Sequence, residues 1–153
     1  MPSSQIANSR NKEAKASGGR PNPADGALWR KGHTMAKIAL IDDSSATLDM
    51  LSSILKGAGH SVQTLSTGVG AEGKLAADTP NLVLLDVVMP ERNGYEVLRG
   101  LKRQAETKTV PVIMVTSKGE DTDIRWGMRQ GAAGYVTKPF TSESILAAIG
   151  EQL

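Results

Sequence analysis

The chain has 153 residues, enough for one domain with a tail, and its 39% hydrophobic content supports a core that 3% aromatics make mostly aliphatic. With no cysteine, it has no disulfide, thiolate nucleophile or thiolate metal site, and two scattered histidines, His33 and His60, argue against zinc. The net charge of +2 is uneven: residues 1–34 carry six Lys/Arg and two Asp/Glu (+4), and residues 35–153 carry twelve and fourteen (−2), so no basic folded surface marks a nucleic-acid binder.

Residues 1–34 are rich in Ser, Asn, Gly, Pro, Lys and Arg and read as a disordered basic tail, native or left by an early start site or an expression leader. They lack the apolar core of a secretory signal, and no apolar run approaches the length of a membrane span. The expected location is the cytoplasm, without membrane insertion. The folded domain is expected over residues 35–153.

Lys37–Ile41 is a short apolar strand ending in Asp42-Asp43. Ser44 or Ser45 can cap a helix carrying Leu48, Leu51, Ile54 and Leu55 at helical spacing, stopped by Gly57 to Gly59. Ser61–Leu65 is a second strand, and a weaker helix follows over about Val69–Ala77. Four consecutive apolar residues, Leu82 to Leu85, end in Asp86, and Pro90 and Asn93-Gly94 close the segment. So short an unbroken run predicts a strand covered on both faces. Tyr95, Val97, Leu98 and Leu101 mark a third helix, and Val110–Val115 a fourth strand with Pro111 tolerable at its start. Glu120, Asp121 and Asp123 favour the amino end of a fourth helix, which Gly131 ends. Gly134–Thr137 is a fifth strand, then Lys138-Pro139-Phe140, and Ser142–Leu153 is the last helix with Ile145, Leu146 and Ile149 on one face. Five βα units predict an α/β fold, a doubly wound five-stranded parallel sheet of flavodoxin-like order 2-1-3-4-5.

Four strands finish on something polar: Asp42 and Asp43, Asp86, Thr116 and Ser117, and Lys138. In a doubly wound sheet these ends meet near the switch point. Each alone is ordinary, since an Asp there is often a cap and Lys-Pro often a turn. Together they describe a site. Three close carboxylates repel and recruit a cation, and an oxygen-only donor set selects Mg²⁺. Such a cation beside a carboxylate suits phosphoryl transfer, with Asp86 as the nucleophile, already ionised near pH 7. Lys138 supplies a second positive charge and the Thr116 hydroxyl a hydrogen bond to phosphoryl oxygens.

The set Asp42-Asp43, Asp86, Thr116 and Lys138-Pro139, with the contexts Ile-Asp-Asp-Ser, Leu-Asp-Val-Val-Met-Pro and Lys-Pro-Phe, resembles the receiver domain of two-component response regulators over about Ala36–Leu153. The resemblance implies that Asp86 accepts phosphate from the phosphohistidine of a CheA-like histidine kinase. It implies that Asp43, Asp86 and the Val88 carbonyl hold Mg²⁺, with Asp42 acting through water, and that the peptide before Pro139 is cis. The run Asp121 to Gly131, with Trp126-Gly127 and Arg129-Gln130-Gly131, is similar to single-domain receivers of type IV pilus chemosensory systems, the PilH-like group. The receiver resemblance implies a switch in which phosphate draws in Thr116 and the Tyr135 ring takes the vacated space; Ile124 and Met128, four apart on one face of the fourth helix, are expected to form with Tyr135 the patch a downstream protein reads.

Two departures matter: Val88, two after Asp86, has no polar side chain, and Lys118, two after Thr116, is cationic. Both bear on the lifetime of a phosphorylated state. No output domain is expected after Leu153, so signalling runs through protein contacts, or the domain drains a kinase as a phosphate sink. It is expected to be a monomer or a weak, phosphorylation-dependent dimer, and not an enzyme beyond its own phosphorylation and slow dephosphorylation. An aspartyl-phosphate hydrolase would carry a second carboxylate where Val88 stands. A flavin carrier of this fold would not place Asp42-Asp43 at its phosphate loop. A phosphorylation-independent scaffold would not need the intact acidic set.

Overall fold

A computed structural model describes residues 35–153; the expected tail, residues 1–34, lies outside the described residues. Five strands alternate with five helices: β1 (Lys37–Ile41), α1 (Ser45–Gly57), β2 (Ser61–Leu65), α2 (Ala71–Ala77), β3 (Leu82–Leu85), α3 (Gly94–Arg103), β4 (Val112–Thr116), α4 (Asp121–Arg129), β5 (Gly134–Thr137) and α5 (Ser142–Gly150). All pairings are parallel, in the order β2-β1-β3-β4-β5. The predicted doubly wound 2-1-3-4-5 sheet is what the chain forms.

Strand alternation divides the core into two layers. Ile38 and Leu40 of β1 and Leu82 and Leu84 of β3 face Leu48, Leu51 and Leu55 of α1 and Ile145 and Ile149 of α5. Ala39 and Ile41, with Val83 and Leu85, face Leu75 of α2 and Val97, Leu98 and Leu101 of α3. The central strand β3 is therefore buried along its whole length, which is why its sequence is an unbroken apolar run rather than an alternating one. Leu55 and Leu84 are almost fully buried, and truncating either to Ala is expected to cost about 2–5 kcal/mol.

Local chemistry sets the boundaries. Ser44 caps α1, its Oγ accepting from Thr47 N at 3.2 Å. Asn93 and Glu96 form a reciprocal capping box on α3, both contacts 3.0 Å. Helix α2 begins two residues later than the sequence predicts. Val69 N donates to Thr67 Oγ1 in a local turn, and Gly70, at φ 75°, takes a left-handed conformation as the N-cap. Strand β4 is shifted from Val110–Val115 to Val112–Thr116. Val110 N turns back to Thr107 O, and Pro111 can only accept, which it does from Val83 N at 3.0 Å. Helix α5 closes at Gly150, short of Leu153. Among the described residues, no helix is long and apolar enough to cross a membrane.

Candidate functional site

The carboxyl ends of β1, β3, β4 and β5 converge, as predicted. Asp42 follows β1 and is 3% exposed; Asp86 follows β3 and is 6% exposed. The β1–β3 register seats them side by side, with Ile41 opposite Leu85 and Asp86 N donating to Ile41 O at 3.0 Å. Asp43 is exposed, and one carboxylate oxygen from each of Asp42, Asp43 and Asp86 lies within 4.8 Å of the others.

Each buried carboxylate is already partly satisfied. Asp42 Oδ1 accepts from Ser44 N at 2.9 Å, tying the acid to the start of α1. Asp86 Oδ1 accepts from Val88 N at 3.3 Å. Their second oxygens face Lys138, whose Nζ lies 2.8 Å from Asp42 Oδ2 and 3.5 Å from Asp86 Oδ2. Burial alone would lower the lysine's pKa. The Asp42 hydrogen bond and the charges of Asp86 and Asp42 outweigh it and hold the ammonium above its ordinary range. The Lys138–Pro139 peptide is cis, as the resemblance implied, and Lys138 N donates to Thr116 O at 2.8 Å, joining β5 to β4 beside the acids.

Three carboxylates against one ammonium leave a negative excess, and every donor is a hard oxygen. The set fits a hard divalent cation such as Mg²⁺ and does not fit a soft metal.

Thr116 is fully buried at the end of β4, and its Oγ1 accepts from Lys118 N at 3.4 Å. The Tyr135 ring lies against α4. Its hydroxyl donates to Lys118 O at 2.5 Å, and burial pushes its pKa above the usual range. The Lys118 backbone is thus shared by Thr116 and Tyr135, which links the buried hydroxyl to the aromatic. Ile124 is partly buried and Met128 is exposed on α4. Val88 is 53% exposed, and no polar side chain stands at this position two residues after Asp86.

The sequence reading missed two contributors. Gly94 opens α3 directly against Asp86, where a Cβ would fall 2.0 Å from the Asp86 carbonyl oxygen; the Asn-Gly pair signalled only a turn. The second is Arg92, which no local sequence signal marks. It ion-pairs with Glu72 and donates to Gly68 O at 3.1 Å and Glu96 O at 3.2 Å, fastening the loop after Asp86 to α2 and α3. Their mutual hydrogen bond is the main favourable cause of a lowered Glu72 pKa and a raised Arg92 pKa.

Comparison with known proteins agrees with this geometry. The family described as the response regulator receiver domain matches residues 38–150. Protein PilH of Pseudomonas aeruginosa is 40% identical over 119 residues, covering 78% of this chain and 98% of PilH. The phosphate regulon transcriptional regulatory protein PhoB of Rhizobium meliloti is 34% identical over 78% of this chain, which spans 52% of PhoB. The structure of the chemotaxis protein CheY4 of Vibrio cholerae superposes with a TM-score of 0.74 at 31% identity, covering 78% of this chain and 100% of CheY4. Fold, polar strand ends and sequence matches lead to one assignment: the chain belongs to the response regulator receiver domain family.

Proposed function

We propose that this receiver takes a phosphoryl group on Asp86 from a histidine kinase and signals through the resulting charge. The carrying observation is the buried Asp86 carboxylate, set among Asp42, Asp43 and Lys138 at the carboxyl edge of the sheet. An Asp86 oxygen attacks phosphorus in line. The new P–O bond forms as the P–N bond to the donor imidazole breaks, and the imidazole leaves with that electron pair. Lys138 moves from its carboxylate partners toward a phosphoryl oxygen, and the Thr116 hydroxyl donates to another. Asp43, Asp86 and the Val88 carbonyl would hold Mg²⁺, with Asp42 acting through water; bound there, the ion would neutralise charge on the transferred group.

The readout runs from Thr116 through Lys118 to Tyr135. Recruiting the Thr116 hydroxyl to phosphate releases Lys118 N, and the Tyr135 ring and the nearby Ile124 and Met128 adjust in turn. A downstream protein reads that surface. The PilH match, covering nearly all of that protein, supports a role in a type IV pilus chemosensory pathway with a CheA-like donor. Phosphorylation-dependent dimerisation belongs to the same reading.

Incubation with Mg²⁺ and acetyl phosphate, followed by intact mass, tests the chemistry. One added phosphoryl group is expected, absent without Mg²⁺ and lost on Asp86→Asn. An unchanged mass under every condition sinks the proposal, and labelling that survives Asp86→Asn moves the acceptor elsewhere. For the pathway, phosphotransfer rates from purified kinases should be fastest from a pilus-linked chemosensory kinase. Equal rates from kinases of transcriptional regulators would remove that assignment.

A further inference from the structure

Helix α4 is held by aromatics rather than by an aliphatic stripe. Of its nine residues only Gly127 is buried. A Cβ at Gly127 would lie 2.9 Å from Tyr135 Cε2 and 3.7 Å from Tyr95 Cε1, so both rings pack against bare helix backbone. Tyr95, from α3, donates its hydroxyl to Asp123 O at 3.4 Å and meets Trp126 edge-on, with centroids 6.4 Å apart and planes at 89°. Arg99, one turn along α3, donates to Gln130 Oε1 at 3.2 Å. These contacts set α3 and α4 side by side, Tyr95 against Trp126 and Arg99 against Gln130.

The surface they create has an unusual content. Trp126 is 45% exposed and meets Tyr95 through one edge of its ring system alone. Arg103 lies four residues beyond Arg99, and Arg129 three beyond Trp126, so each shares its neighbour's face. Arg99, Arg103 and Arg129 make no ion pair among the described residues. The nearby Glu96 and Asp123 each accept from a backbone N–H, of Asn93 at 3.0 Å and of Glu120 at 3.2 Å, and neither ion-pairs with these arginines. Placement of arginines at helix carboxyl ends favours the helices themselves, which accounts for Arg103 and Arg129 without a partner. It does not account for a half-exposed tryptophan on the same surface. An exposed tryptophan beside a tyrosine and arginines has the composition of a binding hot spot.

We propose that the α3–α4 surface, with Trp126 as anchor and Arg99, Arg103 and Arg129 around it, docks an acidic segment of a partner protein. Charge complementarity selects the occupant: three arginines without counter-ions among the described residues call for carboxylates, and Trp126 calls for an apolar side chain among them. A nucleic acid fits less well, because residues 35–153 carry a net −2 and the acidic strand-end cluster repels a polyanion. The surface is distinct from the Asp86 site. Its anchor nonetheless touches the same α4 turn as Tyr135, so movement of Tyr135 would alter its presentation.

The test is fluorescence anisotropy at physiological salt with a fluorescein-labelled 12-residue peptide rich in Asp and Glu with two leucines. Saturable binding is expected, weakened by about tenfold in the double variant Arg99→Glu/Arg129→Glu and by a similar factor in Trp126→Ala. Lys56→Glu, which reverses an exposed charge on α1, should leave binding unchanged, and circular dichroism confirms the fold of each variant. No saturation up to about 1 mM peptide overturns the proposal. So does a loss in Lys56→Glu equal to that in the patch variants. Tighter binding of a labelled 12-mer oligonucleotide that the same patch variants abolish would make the partner a nucleic acid and overturn it as well.

Discussion

Gly94 and Asp86 approach so closely that no side chain fits between them: a Cβ on Gly94 would lie 2.0 Å from the Asp86 carbonyl oxygen and 2.9 Å from Val87 Cα. The approach is fixed by Gly94 N donating to Val87 O at 2.9 Å. Helix α3 is thereby seated on the backbone that carries the proposed acceptor.

Gly94→Ala must push α3 off the end of β3 or move Asp86. The expected cost is about 1–3 kcal/mol in urea unfolding, together with slower phosphorylation by acetyl phosphate. Gly73→Ala is the control. Gly73 lies within α2 with open space around it, so alanine there should stabilise by roughly 0.5–1 kcal/mol and leave phosphorylation unchanged. Wild-type phosphorylation in Gly94→Ala would show that the contact is not needed to place Asp86.

This contact also marks where sequence reading stops. The strands, their order and the polar residues at their ends were legible, because apolar runs and terminal charges are local signals. Asp86, like Asp42, closes an unbroken run of four apolar residues. Gly94 and Gly127 were not legible as packing residues, since their role depends on what arrives from another element: the Asp86 backbone in one case, the Tyr135 and Tyr95 rings in the other. Strand β4 starts two residues later than expected for a local reason, the missing N–H of Pro111. The late start of α2 turned on Gly70 adopting a positive φ, which apolar periodicity does not encode.

Lys138 is the cation among the strand-end acids, donating to both Asp42 and Asp86. Lys138→Met should lower stability in Mg²⁺-free buffer by about 1.5–3 kcal/mol, the range for hydrogen bonds to charged groups. Saturating Mg²⁺ should raise the melting temperature more in this variant than in the wild type, because the ion no longer competes with the ammonium for the carboxylates. Equal increments from Mg²⁺ would place the ion away from the carboxylates that Lys138 touches.

Glu91 is the non-glycine residue with positive φ among the described residues, at 69°. It sits at the centre of a three-residue turn in which Arg92 N donates to Pro90 O at 2.7 Å, in the loop between Asp86 and α3. A side chain there is strained, and glycine relieves the strain while adding freedom to the unfolded chain. The net expectation for Glu91→Gly is a gain of up to about 1 kcal/mol, seen as a higher urea midpoint. Glu91→Val, β-branched, should lose about 1–2 kcal/mol. A loss in the glycine variant would mean that the Glu91 side chain makes a contribution larger than its backbone cost.

His60 supplies a pH dependence far from the acidic site. Its Nδ1 accepts from Ala36 N at 3.0 Å, which requires that nitrogen to be unprotonated, and burial lowers the imidazole pKa below its ordinary 6.5. The unfolded chain therefore takes up a proton near pH 6.5, while the folded chain resists until the pH is lower. Stability is unaffected well above 6.5 and is lost as pH falls from there toward the folded value. His60→Asn keeps an oxygen acceptor for Ala36 N and has no proton to gain. Urea midpoints at pH 7.5 and 5.5 should fall further in the wild type than in His60→Asn. Parallel falls in the two proteins would assign the acid sensitivity to carboxylates instead.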